Sequence, residues 1–323
     1  MSRRRMPLRT RLFTRLSAPF GSPVHAMDPA GLPGLRERRA RVQRSRVARL
    51  IVGEPARDCR IEDRVISIDG DSLRLRTYRP SGDSIGLPCV VAFHGGGFAL
   101  GDPEQAEWLC SEVAVRAHAV VISVDYRLAP EYPYPAAVED ACAATAWVYE
   151  NAAAIGADSQ RMAVMGESAG GTLAAVVAIK ARDVGAPKLC SQLLLYPAVE
   201  MTETFDSERQ YARGPIITSA QMKGFSRLYL GGADGADPVA SPLRTADLAG
   251  VAPALVQTAE HDPLRDNGAR YAEVLASAGV PVRYTCYRGA VHGYLNMPGV
   301  VPAAHQALAE VVDALSAAFE TPR

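Results

Sequence analysis

The stretch Met162-Ala163-Val164-Met165-Gly166-Glu167-Ser168-Ala169-Gly170-Gly171 decides how this chain folds. Its opening apolar run reads as a strand buried on both faces, the kind found in parallel sheets. Small residues follow, and residues 169–182 read as a helix. A strand that passes into a helix through Gly-x-Ser-x-Gly is the context of a nucleophile elbow. The sharp turn strains the Ser168 backbone and lifts its hydroxyl above the sheet, while glycine at both flanks removes side chains that would clash. The helix N-terminus behind the serine favours developing negative charge.

Working outward, residues 90–93, 120–124, 193–196 and 254–259 are similar apolar runs rich in branched residues. Residues 104–116, 136–151 and 267–278 read as helices, and a final helix carries Leu308, Val311, Val312, Leu315 and Phe319 on one face. Strand and helix in alternation predict an α/β fold, a mostly parallel central sheet flanked by helices with right-handed crossovers. Upstream, residues 64–68 and 73–78 alternate around Asp69-Gly70-Asp71, as a hairpin at a sheet edge does. The alternation fails over residues 1–50 and about 199–245, where only 219–229 is a clear helix. Both stretches are expected to lie over the C-terminal ends of the strands, where open α/β sheets bind ligands. The expected organisation is a basic arm and part of a cap over 1–50, then a catalytic domain over 51–323 with a cap insert at about 199–245.

The 323 residues are 48% hydrophobic and 22% charged, a globular composition, and 35 basic residues balance 35 acidic ones. That balance hides an asymmetry. Residues 1–50 hold thirteen Arg against Asp28 and Glu37, leaving twenty-two basic and thirty-three acidic residues for the remainder. The body repels polyanions, so nucleic acid is not an expected partner, whereas the arm favours anionic surfaces. Leu8, Leu12, Phe13 and Leu16 would share one helical face with Arg5, Arg9, Arg11 and Arg15 elsewhere, which permits a membrane-surface helix; the alternatives are a mobile arm or a true start at Met27. No apolar run nears the roughly 18 residues of a membrane span, and no signal-peptide pattern follows the basic N-terminus. Cys59, Cys89, Cys110, Cys142, Cys190 and Cys286 are scattered without a C-x-x-C pair, so reduced thiols and no metal site are expected. A cytoplasmic location follows.

His94-Gly95-Gly96-Gly97-Phe98 follows another strand. Three glycines let backbone N–H groups approach a ligand, and without a following Lys the loop is not a P-loop. Gly96 and Gly97, with Gly95 as a further donor, are read with Ala169 as an oxyanion hole, and His94 as the residue that anchors the loop by hydrogen bonding. A serine hydroxyl needs a base. Among six histidines, His25 lies in the arm and His118 and His305 in or beside helices, whereas His292 follows the strand over 282–287 at the functional edge and is the expected base. Asp262, after the strand ending near 259, is the expected orienting carboxylate, with Asp266 and Glu260 as rivals and His261 a loop or substrate-side residue. The order Ser168, Asp262, His292 is that of the α/β hydrolases.

These islands together resemble the hormone-sensitive-lipase-like carboxylesterases, the bacterial family IV esterases, and especially their actinobacterial members. The resemblance runs from about residue 60 to the C-terminus and includes Asp125-Tyr126-Arg127-Leu128-Ala129-Pro130-Glu131, whose Arg and Glu it implies brace the region beneath the glycine loop. It implies an α/β-hydrolase fold, a triad of Ser168, Asp262 and His292, an oxyanion motif at 94–97, a helical cap, and a monomer or homodimer. Two positions depart from the family pattern. Glu167 stands where Asp or Thr is usual and is expected to keep an outward carboxylate, and Tyr294 replaces the more frequent Phe and is expected to bring a hydroxyl near the pocket. The leading expectation is hydrolysis of short- to medium-chain carboxylic esters through an acyl-Ser168 intermediate, without metal or organic cofactor. Ile216, Ile217, Met222, Phe225, Leu228 and Tyr229 are the expected acyl-pocket side chains. The alternatives are an amidase, formamidase or acyltransferase on the same residues, or a non-catalytic small-molecule-binding protein.

Overall fold

The structure, a computed structural model, describes residues 6–17, 29–43, 45–68, 70–82 and 84–320. Arg5, His25, Met27 and Asp69 lie outside those residues. Eight strands form one sheet in the order β1-β2-β4-β3-β5-β6-β7-β8. The antiparallel hairpin β1 (Cys59–Ile68) and β2 (Asp71–Pro80) sits at one edge, and β2 also runs antiparallel to β4 (Val120–Asp125). The remaining strands, β3 (Leu87–Phe93), β5 (Ala157–Glu167), β6 (Leu189–Leu195), β7 (Ala254–His261) and β8 (Val282–Val291), are parallel to β4 and to one another. Every residue of β3 and β6 is buried, as continuous apolar runs require when helices cover both faces.

One layer of that cover is α5 (Ala136–Glu150), α6 (Ala169–Val184) and α9 (Arg265–Ser277), and the other is α4 (Glu107–Arg116) and α10 (Ala303–Glu320). The expected face of the last helix is the buried one, with Leu308, Val311 and Leu315 in the second core. The first turn expected of α4 is instead a short 3-10 helix, Pro103–Ala106, capped by Asp102. Proline at its start fits that tight turn.

Among the described residues three α-helices precede the sheet: α1 (Leu8–Ser17), α2 (Leu32–Gln43) and α3 (Arg46–Val52). The break near 199–245 holds α7 (Asp206–Gln210) and α8 (Ser219–Leu230), the latter opened by a Thr218–Gln221 capping box. A small third cluster joins Leu32 and Leu35 of α2, Leu228 of α8, and Ala99, Leu100 and Ala129. The two irregular stretches therefore meet over the glycine loop at the C-terminal side of the sheet. No described helix is long and apolar enough to cross a membrane. The six cysteines are free, and Cys89, Cys110 and Cys190 are buried.

Candidate active site

Strand register assembles the site. Phe93 pairs with Gly166, so His94-Gly95 leaves β3 beside the point where Ser168 leaves β5. His261 pairs with Val291, so Asp262 and His292 leave the neighbouring strands β7 and β8 at one level. Four segments far apart in sequence thus deliver their next residues to one edge.

At the elbow Ser168 has φ 53° and ψ −115°, a conformation that side chains rarely adopt and that costs on the order of 1–3 kcal/mol. The turn is held by Ser168 N–H donating to Leu195 O, and by Gly171 and Ala198 N–H donating to Ser168 O. A Cβ at Gly166 would lie 1.9 Å from Gly170 O, and one at Gly170 would lie 2.0 Å from Phe93 O. Both flanking glycines are therefore steric necessities. Gly170→Ala is expected to destabilise the protein by about 3 kcal/mol or more, read from urea unfolding, because the clash is with backbone and no side chain can yield. A loss under about 1 kcal/mol would contradict this packing.

His292 Nε2 lies 2.9 Å from Ser168 Oγ, and His292 Nδ1 lies 2.7 Å from Asp262 Oδ2. A carboxylate accepts, so Nδ1 carries the proton and Nε2 is left to accept from the serine hydroxyl. Asp262 is fully buried, and its Oδ1 accepts from Leu264 N–H at 2.8 Å. Its rivals are engaged elsewhere: Glu260 accepts from Gly289 N–H, and Asp266 pairs with Arg265 and accepts from Ser207 N–H in α7. His261 packs edge-on against Tyr211 of the insert.

The glycine loop lies against the elbow, where a Cβ at Gly95 would be 3.4 Å from Ser168 Cβ. Gly96 and Gly97 have φ of 128° and 62°, open to glycine and strained for other residues. Within the described residues the N–H groups of Gly95, Gly96, Gly97 and Ala169 find no acceptor. His94 is buried, its ring stacked on Tyr126 at 4.3 Å, and its Nδ1 donates to Gly95 O at 2.8 Å. Burial holds its pKa below the usual value, which favours this neutral role. Tyr126 Oη donates to His94 O at 2.7 Å.

The Arg and Glu of the 125–131 block act through partners that sequence reasoning missed. Arg127 pairs with Asp140 of α5, while Glu131 accepts a two-pronged bond from Arg36 of α2. Arg36 also donates to Ala99 O and Ala129 O, so it clamps α2 onto the segment behind the glycines. No local pattern marks Arg36 among thirteen N-terminal arginines.

Three expectations need correction. Glu167 is buried, with its carboxylate turned inward: Oε1 accepts from Tyr196 Oη, and Asn296 lies beside the carboxyl. The alternation of β5 continues into the elbow and points this residue into the body. Tyr196, itself at φ 40°, stands edge-on to His292 with ring centroids 5.2 Å apart, so the buried carboxyl supports the face of the imidazole through one ring. Tyr294 likewise turns away from the pocket. Its hydroxyl donates to Gln257 Oε1 at 3.0 Å, because a buried hydroxyl must find a partner and Gln257, held by Glu310 of α10, supplies one. Leu228 and Tyr229 are also packed rather than open, Tyr229 stacking on Phe98 at 3.6 Å, whereas Phe225 reaches the loop, where a Cβ on Gly97 would be 2.3 Å from its ring.

Burial pushes the Glu167 carboxyl up to about 7 from an ordinary 4.5, against the opposing influence of Tyr196 and His292. A carboxyl whose pKa is raised by folding keeps its proton where the unfolded chain has lost it, so stability falls as pH rises from about 4.5 to 7 and then levels. Glu167→Gln removes that slope. Urea unfolding at about pH 5 and pH 8 is expected to show the wild type losing up to roughly 3 kcal/mol relative to the variant. Parallel pH profiles would contradict the assignment.

A model of the α/β-hydrolase fold family matches residues 90–296, well over half of the chain. This chain is an α/β hydrolase of the hormone-sensitive-lipase-like type. The hydrolase is 48% identical to esterase LipI of Mycobacterium tuberculosis over 75% of this chain and 78% of that protein. It is 45% identical to carboxylesterase NlhH of the same organism over 81% and 84%. Among solved structures, an esterase of the hyperthermophile Pyrobaculum calidifontis superposes with a TM-score of 0.88 at 38% identity, covering 97% of this chain and 98% of that one. The hydrolase is a carboxylic ester hydrolase.

Proposed function

We propose that this esterase cleaves short- to medium-chain carboxylic esters through an acyl-Ser168 intermediate. The observation that carries the reading is the unbroken relay from Ser168 Oγ to His292 to Asp262, at 2.9 and 2.7 Å. Ser168 Oγ attacks the ester carbonyl carbon while His292 Nε2 takes the hydroxyl proton. Asp262 stabilises the imidazolium that results, without itself taking the proton. Negative charge on the former carbonyl oxygen is met by N–H groups of Gly96, Gly97 and Ala169, with Gly95 as a further donor; one such donor is worth on the order of 3–4 kcal/mol. The tetrahedral adduct expels the alkoxide, which collects the proton from His292. Water, deprotonated by the same nitrogen, then attacks the acyl-Ser168 carbonyl, and the acid and free serine are restored.

The N-terminal helices and the insert over about 199–245 act in this reading as a cap, clamped by Arg36 and set against the oxyanion loop by Phe225. Leu228 and Tyr229 are buried and so unavailable to line a long acyl channel, and an ethyl acetate hydrolase of Pseudomonas putida, 35% identical over 91% of both chains, supports small esters. Six free cysteines suit a reducing cytoplasm. Hydrolysis of p-nitrophenyl acetate, butyrate, octanoate and palmitate by the purified protein tests the acyl preference. Rates are expected to fall steeply between octanoate and palmitate, and a preference for palmitate would overturn the short-acyl reading.

A further inference from the structure

Helix α1 is turned the wrong way round for a helix that serves only to pack. Thr10 and Thr14 are its buried residues, their hydroxyls satisfied by Val300 O and Arg11 O, while Leu8, Leu12 and Leu16 are 61%, 49% and 73% exposed. Spacing of four places the leucines in one stripe, and at 3.6 residues per turn Arg15 and Arg9 fall on its two sides. Arg9 and Arg15 are exposed and have no ion-pair partner among the described residues.

Helix α3 adds to this surface. Thr10 donates to Val300 O and Gly299 N–H donates to Ile51 O, so α1 and α3 are both fastened to the 299–300 turn. Val47 and Leu50 of α3 are 71% and 76% exposed, and Val42 stands exposed at the end of α2. Arg38, Arg41 and Arg46 on α2 and α3 are exposed without an ion pair among the described residues. The chain leaves apolar side chains in water beside positive charge that has no ion pair among the described residues.

We propose that this three-helix face docks on an anionic lipid surface, with Leu8, Leu12 and Leu16 entering the headgroup–acyl boundary and the arginines meeting lipid phosphates. Charge selects this occupant over a second copy of the chain: exposed Arg9, Arg15, Arg38, Arg41 and Arg46, against exposed Glu37, would repel an identical face. An apolar stripe flanked by arginines is the arrangement of an interfacial helix, and basic residues near a membrane surface bind anionic headgroups in a salt-dependent manner.

Flotation of the full chain with vesicles of phosphatidylcholine alone, or mixed with phosphatidylglycerol, tests the proposal and requires no enzymatic activity. The protein is expected to float with the mixed vesicles, to stay down with neutral ones, and to be released by raised ionic strength. Leu8→Ser, Leu12→Ser and Leu16→Ser together, and Arg9→Glu with Arg15→Glu, are each expected to lower the bound fraction about tenfold or more. Both variants should hydrolyse dissolved p-nitrophenyl butyrate at the wild-type rate, which verifies their fold. A wild type that does not float, or variants that float as it does, would overturn the proposal. So would light scattering that finds a dimer which the triple-leucine variant dissociates, since the stripe would then be covered by a second copy.

Discussion

Ser168→Ala is expected to lower kcat toward p-nitrophenyl butyrate by a factor on the order of a million, leaving only what binding and the oxyanion donors supply. The loss is large because no neighbour can take over. Ser168 Oγ is the hydroxyl 2.9 Å from His292 Nε2, on a backbone held at φ 53° by bonds to Leu195, Gly171 and Ala198 that do not involve the side chain. Those bonds survive in the alanine variant, so its unfolding transition should match the wild type. A residual rate within about a hundredfold of wild type would move the nucleophile elsewhere.

Asp262→Asn is expected to lower kcat/KM by about ten-thousandfold near neutral pH, although the side chain keeps its shape. The reason lies in which oxygen does what. Oδ1 accepts from Leu264 N–H at 2.8 Å and Oδ2 accepts from His292 Nδ1 at 2.7 Å. In the variant, the amide oxygen stays with Leu264 because an NH2 group cannot accept there, so the NH2 group faces His292. Nδ1 must then accept, the imidazole proton moves to Nε2, and Nε2 can no longer take the serine proton. Thermal unfolding should change far less than the rate. Proton NMR of the imidazole N–H is expected to follow the move to Nε2, and an unchanged tautomer with lost activity would contradict the argument.

How much of this was legible in the sequence depends on the distance over which each feature is encoded. The parallel sheet and its helices were legible because continuous apolar runs and helical faces are local, as in β3 and α10. The proximity of the three proposed triad positions was legible because each directly follows a strand: Ser168 after β5, Asp262 after β7 and His292 after β8. What stayed hidden was the support behind them. Arg36 reaches Ala99, Ala129 and Glu131 across more than sixty residues of chain, which no spacing rule anticipates. Tyr196 reads as the end of an apolar run, yet its positive φ turns it between Glu167 and His292. Glu167 and Tyr294 were misread for one reason: a polar group beside a catalytic motif suggests a role toward substrate, whereas burial obliged both to find partners inside. The leucine stripe of α1 was visible as amphipathic, but only the packing of Thr10 and Thr14 reveals which face is turned outward.

Intact-mass analysis after treatment with diethyl p-nitrophenyl phosphate, followed by peptide mapping, identifies the nucleophile, because the reagent stops at the covalent stage on an activated serine. A single diethylphosphoryl adduct is expected, carried by the peptide that contains Ser168, formed in step with loss of esterase activity and absent from Ser168→Ala. Complete inactivation with the adduct on another residue, or an active enzyme that forms no adduct, would contradict this expectation.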